Sequence, residues 1–179
     1  MNGDTPLRIA GNRLLYFALG VFGIFVLLVP ISMVPNGMIW PQVMLMVSMA
    51  LVIRNPVYVP FWLIGFLFLI SDILLAHPMG LGAFIALLAC EFLRRNRPAF
   101  VEMLFFGEWF SIGLILLAAG LLSRFLLVVT FAETTPWWAF MVQLSLSILV
   151  YPLVVGAISV MFKVSKVQET ISHPVRRPT

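Results

Sequence analysis

The chain has 179 residues, of which 62% are hydrophobic and only 10% charged, against roughly half and a quarter in an ordinary soluble domain. That balance excludes a soluble globular domain, and at about 20 residues per crossing of a ~30 Å hydrocarbon core the length holds at most about six or seven spans with short loops. The net charge of +4 could suit nucleic acid, but the basic residues fall in gaps between apolar runs and not along one face, so they read as membrane orientation and no nucleic-acid partner is expected.

Residues 14–34 carry no charge. They exceed the ~7 to 15 residue apolar core of a secretory signal and no small-x-small cleavage site follows, so they read as a retained first helix. Residues 38–53, between Trp40 and Arg54, make the second span. Residues 57–75 make the third, with Asp72 near its far end, and 79–93 the fourth. The second and fourth are about 15 residues, or ~22 Å, which calls for thinned lipid, extra residues from the loops, or shelter among other helices. Residues 98–133 stay apolar for ~54 Å if continuous, too long for one span. The reading is a short interfacial helix over 98–107, with Glu102 and Glu108 in the headgroup region, followed by a fifth span over 109–131. The sixth span, 137–162, opens on paired tryptophans suited to the aromatic belt and contains Pro152, which a bundle accommodates as a kink. Residues 1–13 and 163–179 are then an N-terminal segment and a basic tail flanking one transmembrane domain over 14–162.

Lysine and arginine set the orientation. Arg8 and Arg13 precede the first span and Arg54 follows the second. Arg94, Arg95 and Arg97 follow the fourth, and Lys163, Lys166, Arg176 and Arg177 follow the sixth. The opposite loops hold no basic residue, so six spans with both termini cytoplasmic fit the pattern. Arg124, late in the fifth span, is the exception, and its stem can snorkel outward or its charge can pair with another helix.

Ionisable groups within spans are costly, which singles out Asp72, Arg124, Glu91, Glu102 and Glu108. Glu91 lies a turn from Arg94 and Arg95 and reads as interfacial. Asp72 sits at the unfavourable negative end of a helix dipole and needs a partner; Arg124 is expected at similar depth, so an Asp72 to Arg124 pair stands against two independent, partly hydrated groups. The carboxylates are too scattered for two-metal chemistry. His77 and His173 are expected on opposite sides of the membrane, so no zinc site forms, and the single Cys90 offers neither a disulfide nor a cysteine cluster. No Gly-x-Ser-x-Gly elbow or nucleotide-binding glycine loop occurs, and Ser111, Ser145, Ser147 and Ser159 read as helix-packing groups. No enzymatic role and no cofactor are expected. Pro30, Pro41, Pro56, Pro60, Pro78, Pro98, Pro136 and Pro152 mark span edges or kinks, which predicts an all-α integral membrane protein built as an irregular bundle.

The order of these features is similar to one family. Pro41 opens the second span, Pro56 follows Arg54, SDILLAHPMGLGAF runs over residues 71–84 with Asp72 and Gly80 eight apart, and Pro152 lies within the last helix. This resembles the rod shape-determining MreD family over about residues 14–166, with Met79-Gly80 where members often have Leu-Gly. The resemblance implies a non-catalytic scaffold in the bacterial inner membrane, part of the elongation machinery for side-wall peptidoglycan. Its implied partner is MreC, and through it MreB, RodA and a class B transpeptidase. The inner arginines Arg94, Arg95 and Arg97 would face anionic lipid or cytoplasmic partners, or serve topology alone. Family members also resemble the substrate-binding subunits of energy-coupling-factor vitamin transporters, and a vitamin-binding subunit is the alternative. Its Ala-x-x-x-Ala docking device is missing from the first span, which has only Ala18.

Overall fold

Proline and glycine cut the apolar chain into seven helices in the computed structural model, which describes residues 6–28, 42–75, 78–130 and 136–162. They are α1 (Pro6–Leu28), α2 (Val43–Arg54), α3 (Phe61–Leu74), α4 (Leu81–Arg95), α5 (Arg97–Glu102), α6 (Phe105–Val129) and α7 (Trp137–Met161). Proline stands at the start of four of them: Pro6 opens α1, Pro60 and Pro136 are the N-caps of α3 and α7, and Pro98 lies in the first turn of α5. A fixed φ and a missing N–H cost nothing where no intrahelical donor is required. Among the described residues no strand occurs.

Three helices are long and apolar enough to cross a membrane: α1 over Pro6–Val26, α6 and α7. Helices α2 and α3 are apolar but shorter, and the 12 residues of α2 reach only about 18 Å. Its shortness follows from its position. The helix packs against α1, α4, α5 and α7, and Met46, Met49, Ala50, Leu51, Val52 and Ile53 are all completely buried. A helix apolar all round and enclosed by its neighbours has no lipid thickness to match. Around it, α3 lies against α4 and α1, while α6 bridges α4 and α7. The outer faces stay greasy, with Phe22, Phe25, Phe66, Phe110, Phe125, Leu149 and Leu153 all exposed. Exposed aromatic and aliphatic rings on this scale mark a surface made for lipid or protein, since water-facing monomers seldom carry such contiguous patches.

Several expected boundaries shift. Residues 6–13, read as part of an N-terminal segment, are the first two turns of α1, which runs through Gly11 into the apolar stretch without interruption. The interfacial helix expected over 98–107 ends at Glu102, and residues 105–107 belong to α6 instead. The break falls at Met103 and Leu104, both extended with ψ of 143° and 154°, while Gly107 is accommodated within α6. The helix expected from residue 57 begins at Phe61, since Asn55 to Pro60 form a turn. Asn55 Oδ1 accepts the Val57 N–H and the Asn55 carbonyl accepts the Tyr58 N–H, the habitual chemistry of an Asn-Pro turn. Pro41, His77, Glu133 and the basic tail lie outside the described residues.

Candidate functional site

Two buried charges and a buried tyrosine meet at one node. Arg54 ends α2, Glu108 stands in the first turn of α6, and Tyr151 lies midway along α7; their exposures are 5%, 0% and 0%. Arg54 Nη1 lies 3.2 Å from Glu108 Oε1 and also donates to the Ala50 carbonyl at 3.1 Å. The Tyr151 hydroxyl donates to the same carboxylate oxygen at 2.7 Å. An acid in the first turn of a helix is favoured by the dipole, and the guanidinium supplies the opposite charge that a dry carboxylate requires. Only one alignment of α2, α6 and α7 brings the three groups together, so the node fixes register along surfaces that are otherwise apolar. Glu108, read from the sequence as a headgroup-region acid, is enclosed by protein and reaches no solvent. Glu102 does stay exposed. The missed signal was a lone acid within an apolar run matched by a single arginine at a span end; Tyr151 carried no signal of its own.

Arginines converge on the same end of the bundle. Arg13 Nε donates to the Val57 carbonyl at 3.1 Å and Arg94 Nη2 to the Val59 carbonyl at 2.8 Å. Arg97 donates through Nε to the Ile53 carbonyl at 3.0 Å and through Nη2 to the Arg54 carbonyl at 3.4 Å. The last carbonyls of α2 and the turn after it lack intrahelical donors, and cations at a helix C-terminus also complement its dipole. Three side chains distant in sequence thus close one loop. The cluster Arg94, Arg95 and Arg97 divides accordingly: Arg94 and Arg97 are turned onto backbone, while Arg95 is 78% exposed beside Glu91 at 3.1 Å.

Asp72, 3% exposed, reaches across to another helix. Its Oδ2 accepts the N–H groups of Gly82 at 3.0 Å and Ala83 at 3.3 Å, at the N-terminus of α4. A carboxylate at that position satisfies orphan donors and meets the positive end of the dipole. Gly80 makes the approach possible with φ +83°, a left-handed value open to glycine. Gly82 leaves the space: a methyl there would overlap Asp72 Oδ1. The spacing of Asp72 and Gly80 is therefore a helix-to-helix clasp. It does not bring Asp72 to Arg124, whose guanidinium lies 4.3 Å from the Trp137 ring centre and 5.1 Å from that of Phe140, a cation–π arrangement. Arg124 finds aromatic faces on α7 where a carboxylate on α3 was the expected alternative.

Two further polar links hold the bundle. The Tyr16 hydroxyl and Ser48 Oγ, both buried, lie 2.7 Å apart between α1 and α2. Ser147 of α7 accepts the Gln42 N–H at 3.0 Å, at the start of α2, while donating to Gln143. Ser145 and Ser159 bond only carbonyls of their own helix. Pro56 sits in the turn after α2 and Pro152 inside α7. Among the described residues no group of three or more His, Cys, Asp or Glu side chains is placed to hold a metal ion. No family model matches the chain, and neither the curated proteins nor the solved structures yield a match.

Proposed function

We propose that this chain is a non-catalytic scaffold of a bacterial cytoplasmic membrane, crossing it about six times with both termini inside, in the manner its likeness to the MreD family implies. Its partner is the membrane helix of an MreC-type protein, through which it joins the elongation machinery of rod-shaped cells. The observation that carries the reading is a division of labour between interior and exterior. Buried charge is spent on internal geometry, with Asp72 turned onto the α4 backbone and Arg54 onto Glu108. The outer faces of α6 and α7 present Phe106, Phe110, Leu114 and Phe125 beside Leu149, Leu153 and Val160. Gly156 on α7 has open space around its Cα. Packing of large and small residues, with no charge to desolvate, is what drives helix association in lipid. Arg95 is the member of the inner triplet that stays exposed for a cytoplasmic partner.

The test is co-purification of the tagged chain with MreC from a rod-shaped host, paired with depletion of the chain. The scaffold reading expects a detergent-stable complex and rounded cells. Vitamin auxotrophy with normal shape would overturn it in favour of a transporter subunit.

A further inference from the structure

Helices α1 and α3 touch closely at Gly20, where an added methyl would lie 2.7 Å from Leu67 Cδ1. Phe17 stacks on Phe66 at 6.4 Å, about one turn nearer the N-terminus of α1. Beyond it a groove of about 610 Å³ opens, lined by Pro6, Ile9, Ala10, Arg13, Leu14, Phe17, Trp62 and Leu63. Among the described residues that line it, seven of eight are apolar, the eighth is cationic and none is acidic. Arg13 uses Nε on the Val57 carbonyl, and among the described residues its terminal nitrogens make no hydrogen bond. Trp62 is 56% exposed and its indole N–H likewise has none there.

We infer that this groove is a binding site for one anionic phospholipid. The phosphate accepts from the Arg13 guanidinium and the Trp62 indole, and an acyl chain lies along Leu14 and Phe17 toward the closed end at Gly20. Charge complementarity selects the occupant. An amphiphile with a negative head and an apolar body matches one cation set in a greasy wall, whereas a neutral partner helix would leave those donors unmet. Arg13 also sits beside the turn that follows α2, where tryptophan and arginine hold headgroup-level positions in bilayers. The inference rests on the chain residing in lipid and not on the scaffold reading, and its test needs no MreC.

The full chain is purified in detergent and examined by native mass spectrometry with dioleoyl phosphatidylglycerol or dioleoyl phosphatidylcholine. A photoreactive phosphatidylglycerol maps the contact. The expected result is one phosphatidylglycerol retained in preference to phosphatidylcholine, with adducts on residues 9–17 or Trp62. Arg13→Gln should weaken retention about fivefold, the effect of one basic residue at a lipid surface. Because Arg13 also anchors Val57, Ala10→Trp provides a second variant that fills the groove and leaves that bond intact; it should abolish the adducts. Arg95→Gln, outside the groove, should change nothing. Equal retention of the two lipids, adducts elsewhere, or unaltered binding by Ala10→Trp would overturn the site. So would a dimer cross-linked through residues 9–17, which would make a second copy the occupant.

Discussion

The indole N–H of Trp109 donates to the carbonyl of Ile148 at 2.8 Å, and Ile148 is the residue whose acceptor Pro152 cannot reach. A proline inside a helix removes the bond to the carbonyl four residues back and pushes that carbonyl aside. In lipid an orphaned carbonyl must find another donor, and here α6 supplies it to α7. The kink and the tryptophan are two halves of one device.

That device predicts coupling. Trp109→Phe should destabilise the protein by about 0.5–2 kcal/mol, the scale of an interhelical hydrogen bond in a membrane together with an unmet acceptor. In a Pro152→Ala background the restored N–H can reclaim Ile148, so the same substitution should cost much less. Unfolding in mixed detergent micelles, run as a double-mutant cycle, reads the coupling, and additive effects would refute it.

Asp72→Ala should cost about 0.5–2 kcal/mol, as loss of a helix N-cap does. Gly82→Ala should disturb the same contact by displacing the carboxylate, so the double variant should be no worse than the more damaging single one. Exchanging the charges of Asp72 and Arg124 should give no rescue, since each group has its own partners. Thermal unfolding monitored by tryptophan emission would show all three outcomes.

Removing one partner of the Arg54–Glu108 pair strands the other in a dry interior. Glu108→Ala or Arg54→Met alone should therefore cost about 3–5 kcal/mol, enough to reduce the yield of folded protein. Arg54→Met with Glu108→Leu should recover much of that loss, because a buried pair replaced by apolar groups is often neutral. Tyr151→Phe should fall below either single charge deletion, at about 1.5–3 kcal/mol for a hydrogen bond to a charged group. Monodispersity on size exclusion and unfolding midpoints give the order.

The three neighbouring arginines should separate under substitution. Arg97→Gln and Arg94→Gln each leave carbonyls near the end of α2 short of a donor and should loosen the turn at 55–60, read as faster amide exchange there. Arg95→Gln, on an exposed pair, should change stability by no more than about 0.5 kcal/mol.

The helical course of the chain is legible from hydropathy and proline alone. Runs without charge must hide in lipid or protein, and proline tells where a helix can begin. The start of α7 at Trp137 and the position of α6 after a short preceding helix follow from those two rules. What escapes them is which helix needs lipid at all. Apolarity reads the same for α2, enclosed by its neighbours, as for α6, with its phenylalanines outward.

The partner of a charge escapes them too. Sequence marks Asp72, Glu108 and Arg124 as expensive, because ionic desolvation depends on residue type and local surroundings alone. Whether Asp72 meets Arg124 or a pair of backbone N–H groups on α4 depends on rotation and depth of helices about ten or more residues apart, which no local period encodes. Composition and the placement of proline thus indicated an apolar, all-helical chain and the order of its elements. Only packing in three dimensions decided that Glu108 is an interior ion, that Arg97 closes a loop, and that Pro152 is answered by Trp109, since each depends on contacts between segments far apart in the chain.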